Sequence, residues 1–281
     1  MTKVCVTGSE GFIAKHLIRR LKSEGYEVIG IDLKTGQDIR ELSPDDVRGV
    51  KCIFHLAAQA KIPLSIDQPE FTNDHNINGT LRVLMCAKEV GAKVIYSASS
   101  SAYGNQKSLP LFETMKTEPL SPYGLQKLVG EEYCRVFSAV YGLETVSLRY
   151  FNVYGENCPV DSPYASCIAR FLDFNKKGQV LPIYGGSQTR DFTYVGDVVE
   201  ANILAMKSDR VGKGEVINIG AGSRYSIEQV AETISSQVVR LPMRQNEIQD
   251  TLADISKAKE LLNWEPKTNL LEWLKRQLQN N

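Results

Sequence analysis

The sequence carries no excess of either charge, no long apolar run and no cysteines at metal-ligand spacing, and each absence removes a class of function. Thirty-three Lys and Arg balance thirty-three Asp and Glu, without a basic tract of the kind that grips nucleic acid or an anionic membrane. Positive charge, where it matters, must therefore act locally. No apolar stretch approaches the roughly 18 residues of a membrane span, and the first strand begins at Lys3 with no charged-then-apolar leader ahead of it. A cytoplasmic protein with neither nucleic-acid nor membrane partners is the expectation. The six cysteines (Cys5, Cys52, Cys86, Cys134, Cys158, Cys167) form no C-x-x-C or Cys/His ligand pattern, and several fall in apolar periodic segments. Buried free thiols are expected and a metal site is not. Internal repeats, low-complexity segments and long linkers are also missing. What remains is 281 residues with 42% hydrophobic content, enough for one large α/β domain and a smaller lobe.

The chain opens on a strand, Lys3 to Thr7, then a turn, Gly8-Ser9-Glu10-Gly11-Phe12-Ile13-Ala14, then helical periodicity to Leu21. Glycines at Gly8 and Gly11 let backbone approach a pyrophosphate, and the helix that starts at Phe12 and Ile13 presents free amides to it. Ala14 takes the place of a third glycine. A tight strand-to-helix connection would look similar, so the next strand decides the reading. Glu27 to Asp32 ends in an acid about 20 residues after the glycines, where a dinucleotide site places a carboxylate on the ribose 2′-hydroxyl. A carboxylate repels a 2′-phosphate, so NAD is expected rather than NADP. Gln37-Asp38-Ile39-Arg40 reads as a loop for the adenine, through Asp38 and Ile39, or as an exposed charged turn. Cys52 to Gln59 is a buried strand whose small-residue end, Leu56-Ala57-Ala58, lets a flat cofactor lie against the backbone. His55, the one polar side chain within that apolar run, reads as a satisfied core residue.

Asn76-Ile77-Asn78-Gly79-Thr80 leads into an amphipathic helix ending at Val90. Its outer face, with that of a second helix beginning near Tyr123, is a candidate homodimer surface over residues 79–90 and 123–141. Lys93 to Ser99 is a central parallel strand whose carboxyl end breaks into Ser99-Ser100-Ser101, the end at which doubly wound sheets bind ligands. In Ser121-Pro122-Tyr123-Gly124-Leu125-Gln126-Lys127, Ser121 is an N-cap and Pro122 a first-turn residue. On the helix that follows, positions i and i+4 share a face, which brings the Tyr123 hydroxyl and the Lys127 ammonium to one site. A nearby cation favours the phenolate, so Tyr123 is a candidate base. Taken alone, the same spacing fits an ordinary exposed helix.

In combination, these stretches resemble the extended short-chain dehydrogenase/reductase family, in its nucleotide-sugar epimerase and dehydratase branch. The likeness covers nearly the whole chain. It rests on the glycine turn, Asp32, His55-Leu56-Ala57-Ala58, the serine turn, Tyr123 with Lys127, and Leu148-Arg149-Tyr150-Phe151-Asn152-Val153-Tyr154-Gly155. The resemblance implies that Tyr123 is the catalytic base, that Lys127 binds the nicotinamide ribose and lowers the tyrosine pKa, and that Ser99 hydrogen-bonds the reacting sugar oxygen. It further implies substrate contacts from Ser100 and from Asn152, and a diphosphate contact from Arg190. Arg244 resembles a second diphosphate arginine, with Glu247 near the nucleotide ribose. A surface salt bridge fits those two positions equally well.

Family dehydratases carry an Asp-Glu pair where this chain has Ser100 and Ser101, because eliminating water needs an extra acid and base. A reaction needing hydride transfer and one base fits better. The expectation is NAD-dependent C4 epimerisation of a nucleotide diphosphate sugar, with UDP-hexose or UDP-N-acetylhexosamine implied by resemblance. The alternatives are a 4,6-dehydratase or 4-ketoreductase of the same family, and a non-catalytic NAD-binding regulator. The expected fold is α/β, a Rossmann-type doubly wound parallel sheet with a smaller C-terminal α/β substrate lobe. Residues 1–152, joined by 193–217, would form the NAD-binding domain, and 153–192 with 218–281 the nucleotide-sugar lobe. The chain is shorter than most such relatives, with the missing length expected between Asp32 and Cys52 and in the lobe's loops.

Overall fold

Apolar strands alternating with amphipathic helices can bury both faces of a sheet only by winding helices along each side. The computed structural model, which describes residues 1–160, 166–243 and 248–279, has that arrangement. β1 (Lys3–Thr7) passes through the glycine turn into α1 (Phe12–Ser23) and β2 (Glu27–Ile31). Between Asp32 and the next strand there are only short 3₁₀ turns (Leu33–Thr35, Ile39–Glu41, Pro44–Val47). The chain re-enters the sheet as β3 (Cys52–His55). α2 (Ile62–Asp67), α3 (Pro69–Asn73) and α4 (Gly79–Val90) then lead to β4 (Lys93–Ser99), α5 (Pro122–Tyr141) and β5 (Thr145–Tyr150). The second half comprises β6 (Val153–Tyr154), α6 (Cys167–Lys176), β7 (Leu181–Tyr184), β8 (Thr189–Arg190), β9 (Thr193–Tyr194), α7 (Val195–Lys207) and β10 (Lys213–Ile219). It closes with β11 (Tyr225–Ser226), α8 (Ile227–Ile234), β12 (Val238–Leu241), α9 (Ser256–Leu262) and α10 (Leu270–Gln279).

Six strands form one parallel sheet in the order β10-β5-β4-β3-β1-β2. β1 pairs with β2 on one side and with β3 on the other, so strand order reverses between β1 and β3 and a crevice opens beyond their carboxyl ends. Successive residues of β1 serve opposite faces. Val4 and Val6 join a core with Leu17, Leu21, Val198 and Trp264, whereas Cys5 joins another with Ile53, Leu84 and Phe137. β4, covered on both faces, is buried along its whole length.

A third core around Phe171, Ile183, Val230 and Trp273 holds the smaller lobe. Ala258, Leu262 and Trp264 pack into the sheet's core instead, so the expected assignment of all of 218–281 to the lobe does not describe α9. Helix ends follow local chemistry. The Ser226 hydroxyl and the Gln229 side chain form the capping box that their spacing suggests. α6 begins after Ser166, whose hydroxyl accepts from Ala169 N at 3.3 Å.

α3 and α4 are joined by a π turn over Asp74–Asn78, so helical backbone extends from Pro69 to Val90, well before the expected start. Such a turn adds one residue to the helical repeat and so changes which side chains face inward. Here it buries His75 and Asn76.

Candidate active site

The crevice between β1 and β3 is built for close backbone approach. Gly8 has φ +68°, and a Cβ there would sit 2.8 Å from both Cα and N of Ala57. Any side chain would push the glycine turn off the Leu56-Ala57-Ala58 segment, where all three residues are half-buried. Gly11 is the N-cap of α1, with no side-chain cap and no acid in the first turn, leaving that turn's amides and the positive end of the helix dipole for an anion. Phe12 and Ile13, both half-buried, form the start of that turn. Asp32, just past β2, accepts from Glu10 N at 2.9 Å and Lys34 N at 2.8 Å, which fixes its carboxylate beside the glycine turn. Asp38 caps the following 3₁₀ turn and pairs with Arg40, which holds its carboxyl below the usual range, while Ile39 is buried. These residues fit a dinucleotide: glycine backbone and helix amides suit its diphosphate, and the Asp32 carboxylate suits a ribose diol.

Beneath the crevice lies a polar chain that sequence reasoning did not foresee. Ala57 N donates to Thr7 Oγ1 at 3.2 Å, and Thr7 Oγ1 lies 2.8 Å from His55 Nδ1. On the other side, His55 Nε2 lies 2.9 Å from Thr80 Oγ1, whose proton goes to the Asn76 carbonyl at 2.7 Å. Thr80 therefore accepts from His55, which places the imidazole proton on Nε2 and makes Nδ1 the acceptor of the Thr7 hydroxyl. His55 is a satisfied core residue, as its apolar surroundings suggested. Burial, with a smaller contribution from Lys127, pushes its pKa down to about 3.

The folded-state pKa lies below the unfolded value, so the unfolded chain takes up the proton first. Stability from neutral His55 is complete above about pH 6.5 and declines by about 1.4 kcal/mol per unit as pH falls from there toward 3. Urea unfolding across that range should show this slope in the wild type and lose it in His55→Gln; equal slopes would remove His55 as its source.

Tyr123 and Lys127 emerge from the start of α5. The Ser121 hydroxyl accepts from Gly124 N at 3.1 Å, and Pro122 occupies the first turn, as the spacing predicts. The Lys127 ammonium donates to the Ser97 carbonyl at 2.7 Å and lies 5.0 Å from the Tyr96 ring centroid. Burial raises the Tyr123 pKa, and the Ser99 side chain pulls it the other way. Burial also pushes Lys127 itself down to about 8. Ser99, the last residue of β4, caps a 3₁₀ turn over Ser100–Ala102 by accepting from Ser101 N at 3.2 Å.

Next to this group a cavity of about 600 Å³ runs between the sheet and the smaller lobe. Ser100, Asn152 and Arg190 all line it; Ser99, Tyr123 and Lys127 do not, although their chain neighbours Ser100 and Ser121 do. Lys61, Arg170 and Arg190 supply positive charge, and no Asp or Glu appears among the described residues of its wall. Asn152 has φ +32° and donates to the Asp191 carbonyl at 2.9 Å; Arg190 donates to the Thr189 carbonyl at 2.9 Å and the Gln249 carbonyl at 3.1 Å. Arg244 and Glu247 lie outside the described residues.

Asp191 was missed at the level of sequence. Its buried carboxylate accepts from Ala221 N, Gly222 N and Ala253 N at 2.6, 3.1 and 3.0 Å, stitching the end of β10 and the segment before α9 to Arg190. Burial pushes its carboxyl up to about 6 despite those donors. Only its place next to Arg190 hinted at it, since its partners are backbone amides from distant segments.

Residues 4–220 match the model of the NAD dependent epimerase/dehydratase family. The chain is 36% identical to a putative UDP-glucose 4-epimerase of Methanocaldococcus jannaschii, over 97% of this chain and 96% of that protein. It is 32% identical to a UDP-N-acetyl-alpha-D-glucosaminuronate decarboxylase of Bacillus cytotoxicus, over 99% of this chain and 98% of that protein. The structure superposes with a TM-score of 0.93, at 33% identity, on a UDP-N-acetylglucosamine 4-epimerase from Methanobrevibacter ruminantium in complex with UDP-N-acetylmuramic acid, covering 99% of this chain and 97% of that one.

Proposed function

The chain belongs to the NAD-dependent epimerase/dehydratase family, and from that premise we propose that it inverts C4 of a UDP-hexose or UDP-N-acetylhexosamine. It is an enzyme, and NAD is its cofactor. The observation that carries the choice of reaction is the wall of the cavity. Ser100 and Ser101 line it at the positions where a coupled elimination would place an acid and a base, and no carboxylate lines it among the described residues.

In this reading Tyr123 accepts the proton of the sugar's C4 hydroxyl, and Ser99 holds the oxygen and helps the phenol ionise. NAD, when bound, would supply reversible hydride acceptance from C4. Gly8, Gly11, Phe12, Ile13, Asp32, Asp38, Ile39, Leu56, Ala57 and Ala58 hold the dinucleotide, with Lys127 on its nicotinamide ribose. Ser100, Asn152 and Arg190 hold the nucleotide sugar, and the cationic wall suits its diphosphate. The lobe is 153–192 with 218–281 apart from α9. Exposed apolar side chains on α4 and α5, among them Met85, Leu125, Val136, Val140 and Tyr141, support a homodimer through those helices. A cytoplasmic setting belongs to the same reading; no helix of the described residues is long and apolar enough to cross a membrane.

Incubation of the purified protein with UDP-glucose, UDP-galactose, UDP-N-acetylglucosamine and UDP-N-acetylgalactosamine in turn, followed by proton NMR, tests this. A C4 epimer reaching one ratio from either direction is expected. A 4-keto-6-deoxy product would overturn the inference from Ser100 and Ser101.

A further inference from the structure

A helix begins with amides that have no partner within it, and each must be satisfied from elsewhere. In α5, Pro122 has no N–H to satisfy. Gly124 N donates to the Ser121 hydroxyl at 3.1 Å and Leu125 N to the Ser121 carbonyl at 3.0 Å. The remaining amide of that turn belongs to Tyr123. It donates to Ser65 Oγ at 3.0 Å, across 58 residues of sequence.

Ser65 is fully buried in α2, and its own proton goes to the Ile62 carbonyl at 2.6 Å, which leaves its lone pairs for the tyrosine amide. Ile62, Pro63 and Ile66 of the same short helix line the cavity. The following stretch grips α5 a second time. Gln126 Nε2 donates to Thr72 Oγ1 at 3.0 Å, and Gln126 Oε1 accepts from Asn76 Nδ2 at 2.7 Å. Asn76 also brackets the backbone of Gln59, accepting from its N at 2.7 Å and donating to its carbonyl at 3.1 Å.

We propose that Ser65 is a positioning residue for Tyr123: from the helix whose neighbouring residues line the cavity it caps the tyrosine's own amide and so sets where the phenol stands relative to bound substrate. The inference rests on Tyr123 being the base. The phenol is carried by the residue whose amide Ser65 holds, so a shift of that turn moves the reacting oxygen directly. It also moves the phenol relative to the Ser99 side chain, which favours the phenolate. α2 thereby links what fills the cavity to the placement of the base, a link absent if Ser121 alone capped the turn.

Ser65→Ala, Ser65→Thr and Tyr123→Phe would be assayed as holoenzymes with UDP-glucose and UDP-N-acetylglucosamine, each concentration taken from bound NAD. Ser65→Ala should lower kcat about 10- to 100-fold with KM changed less than about threefold, since misplacement by around 1 Å costs on that scale. Its acid limb of kcat should move to higher pH, because losing the Ser99 contact raises the phenol pKa. Ser65→Thr keeps the acceptor and should restore most of both. Wild-type kcat and acid limb in Ser65→Ala, or a loss that vanishes on normalising to bound NAD, would overturn the proposal. If Ser65→Ala does not fold, Ser65→Cys, a weak acceptor of similar volume, takes its place: a loss in Cys but not in Thr supports the proposal, and equal activities overturn it. Turnover surviving in Tyr123→Phe would remove Tyr123 as base, and the inference with it. An inactive Tyr123→Phe beside a wild-type Ser65→Ala would defeat the inference alone.

Discussion

Tyr123→Phe is expected to lower kcat by about 10²- to 10⁴-fold, the usual contribution of a positioned acid or base, while leaving NAD bound and nucleotide-sugar affinity within about threefold. The substitution removes one oxygen. The half-buried ring keeps its packing, and the amide that Ser65 caps is untouched. Ser99 still accepts from Ser101 N, so the serine turn has reason to stay in place. Single-turnover assays with NAD occupancy measured on the same sample separate the two effects. Equal losses of cofactor and turnover would mean that Tyr123 serves the fold rather than the chemistry.

Arg149→Met is expected to destabilise the protein by about 3–5 kcal/mol, the typical consequence of stripping a partner from a buried charge. Arg149 on β5 and Glu131 on α5 form a two-pronged pair, Nε to Oε1 at 2.9 Å and Nη2 to Oε2 at 2.7 Å, with side chains 4% and 1% exposed. Burial raises the Glu131 carboxyl, and the guanidinium opposes that without cancelling it. Without Arg149 the carboxyl rises further and becomes a folded-state proton acceptor. An acid whose folded pKa exceeds its unfolded one weakens the fold as pH rises through that interval, so the variant should recover stability on acidification from neutral pH toward about 4.5. Urea midpoints at pH 7 and pH 5 check the sign. Replacing both partners, as in Arg149→Met with Glu131→Leu, should return most of the loss because no charge is then left buried. A double variant no more stable than the single one would show that the pair's geometry, rather than its charge, holds α5 to β5.

The pair also explains part of the site. Glu131 is one helical turn beyond Lys127, as Lys127 is one turn beyond Tyr123, and its charge opposes the loss of the lysine's proton that burial promotes. That spacing was visible in the sequence. The direction of each side chain was not: Lys127 turns to the Ser97 carbonyl because β4 ends beneath it, a neighbour from 30 residues away.

The sequence by itself determined the order of strands and helices, the caps, the glycine turn and the acid at the end of β2, because each rests on contacts within a few residues or on a two- or 3.6-residue repeat. It also placed Ser99, Tyr123 and Lys127 at strand and helix ends. Tertiary structure alone decided which of these side chains meet, how the π turn carries Asn76 inward, that α9 packs on the sheet rather than in the lobe, and that Ser65, His55 and Asp191 brace the site. Those residues act through individual hydrogen bonds to backbone or side chains 25 to 62 positions away, and a lone polar residue whose partner lies that far along the chain leaves no periodic trace in the sequence.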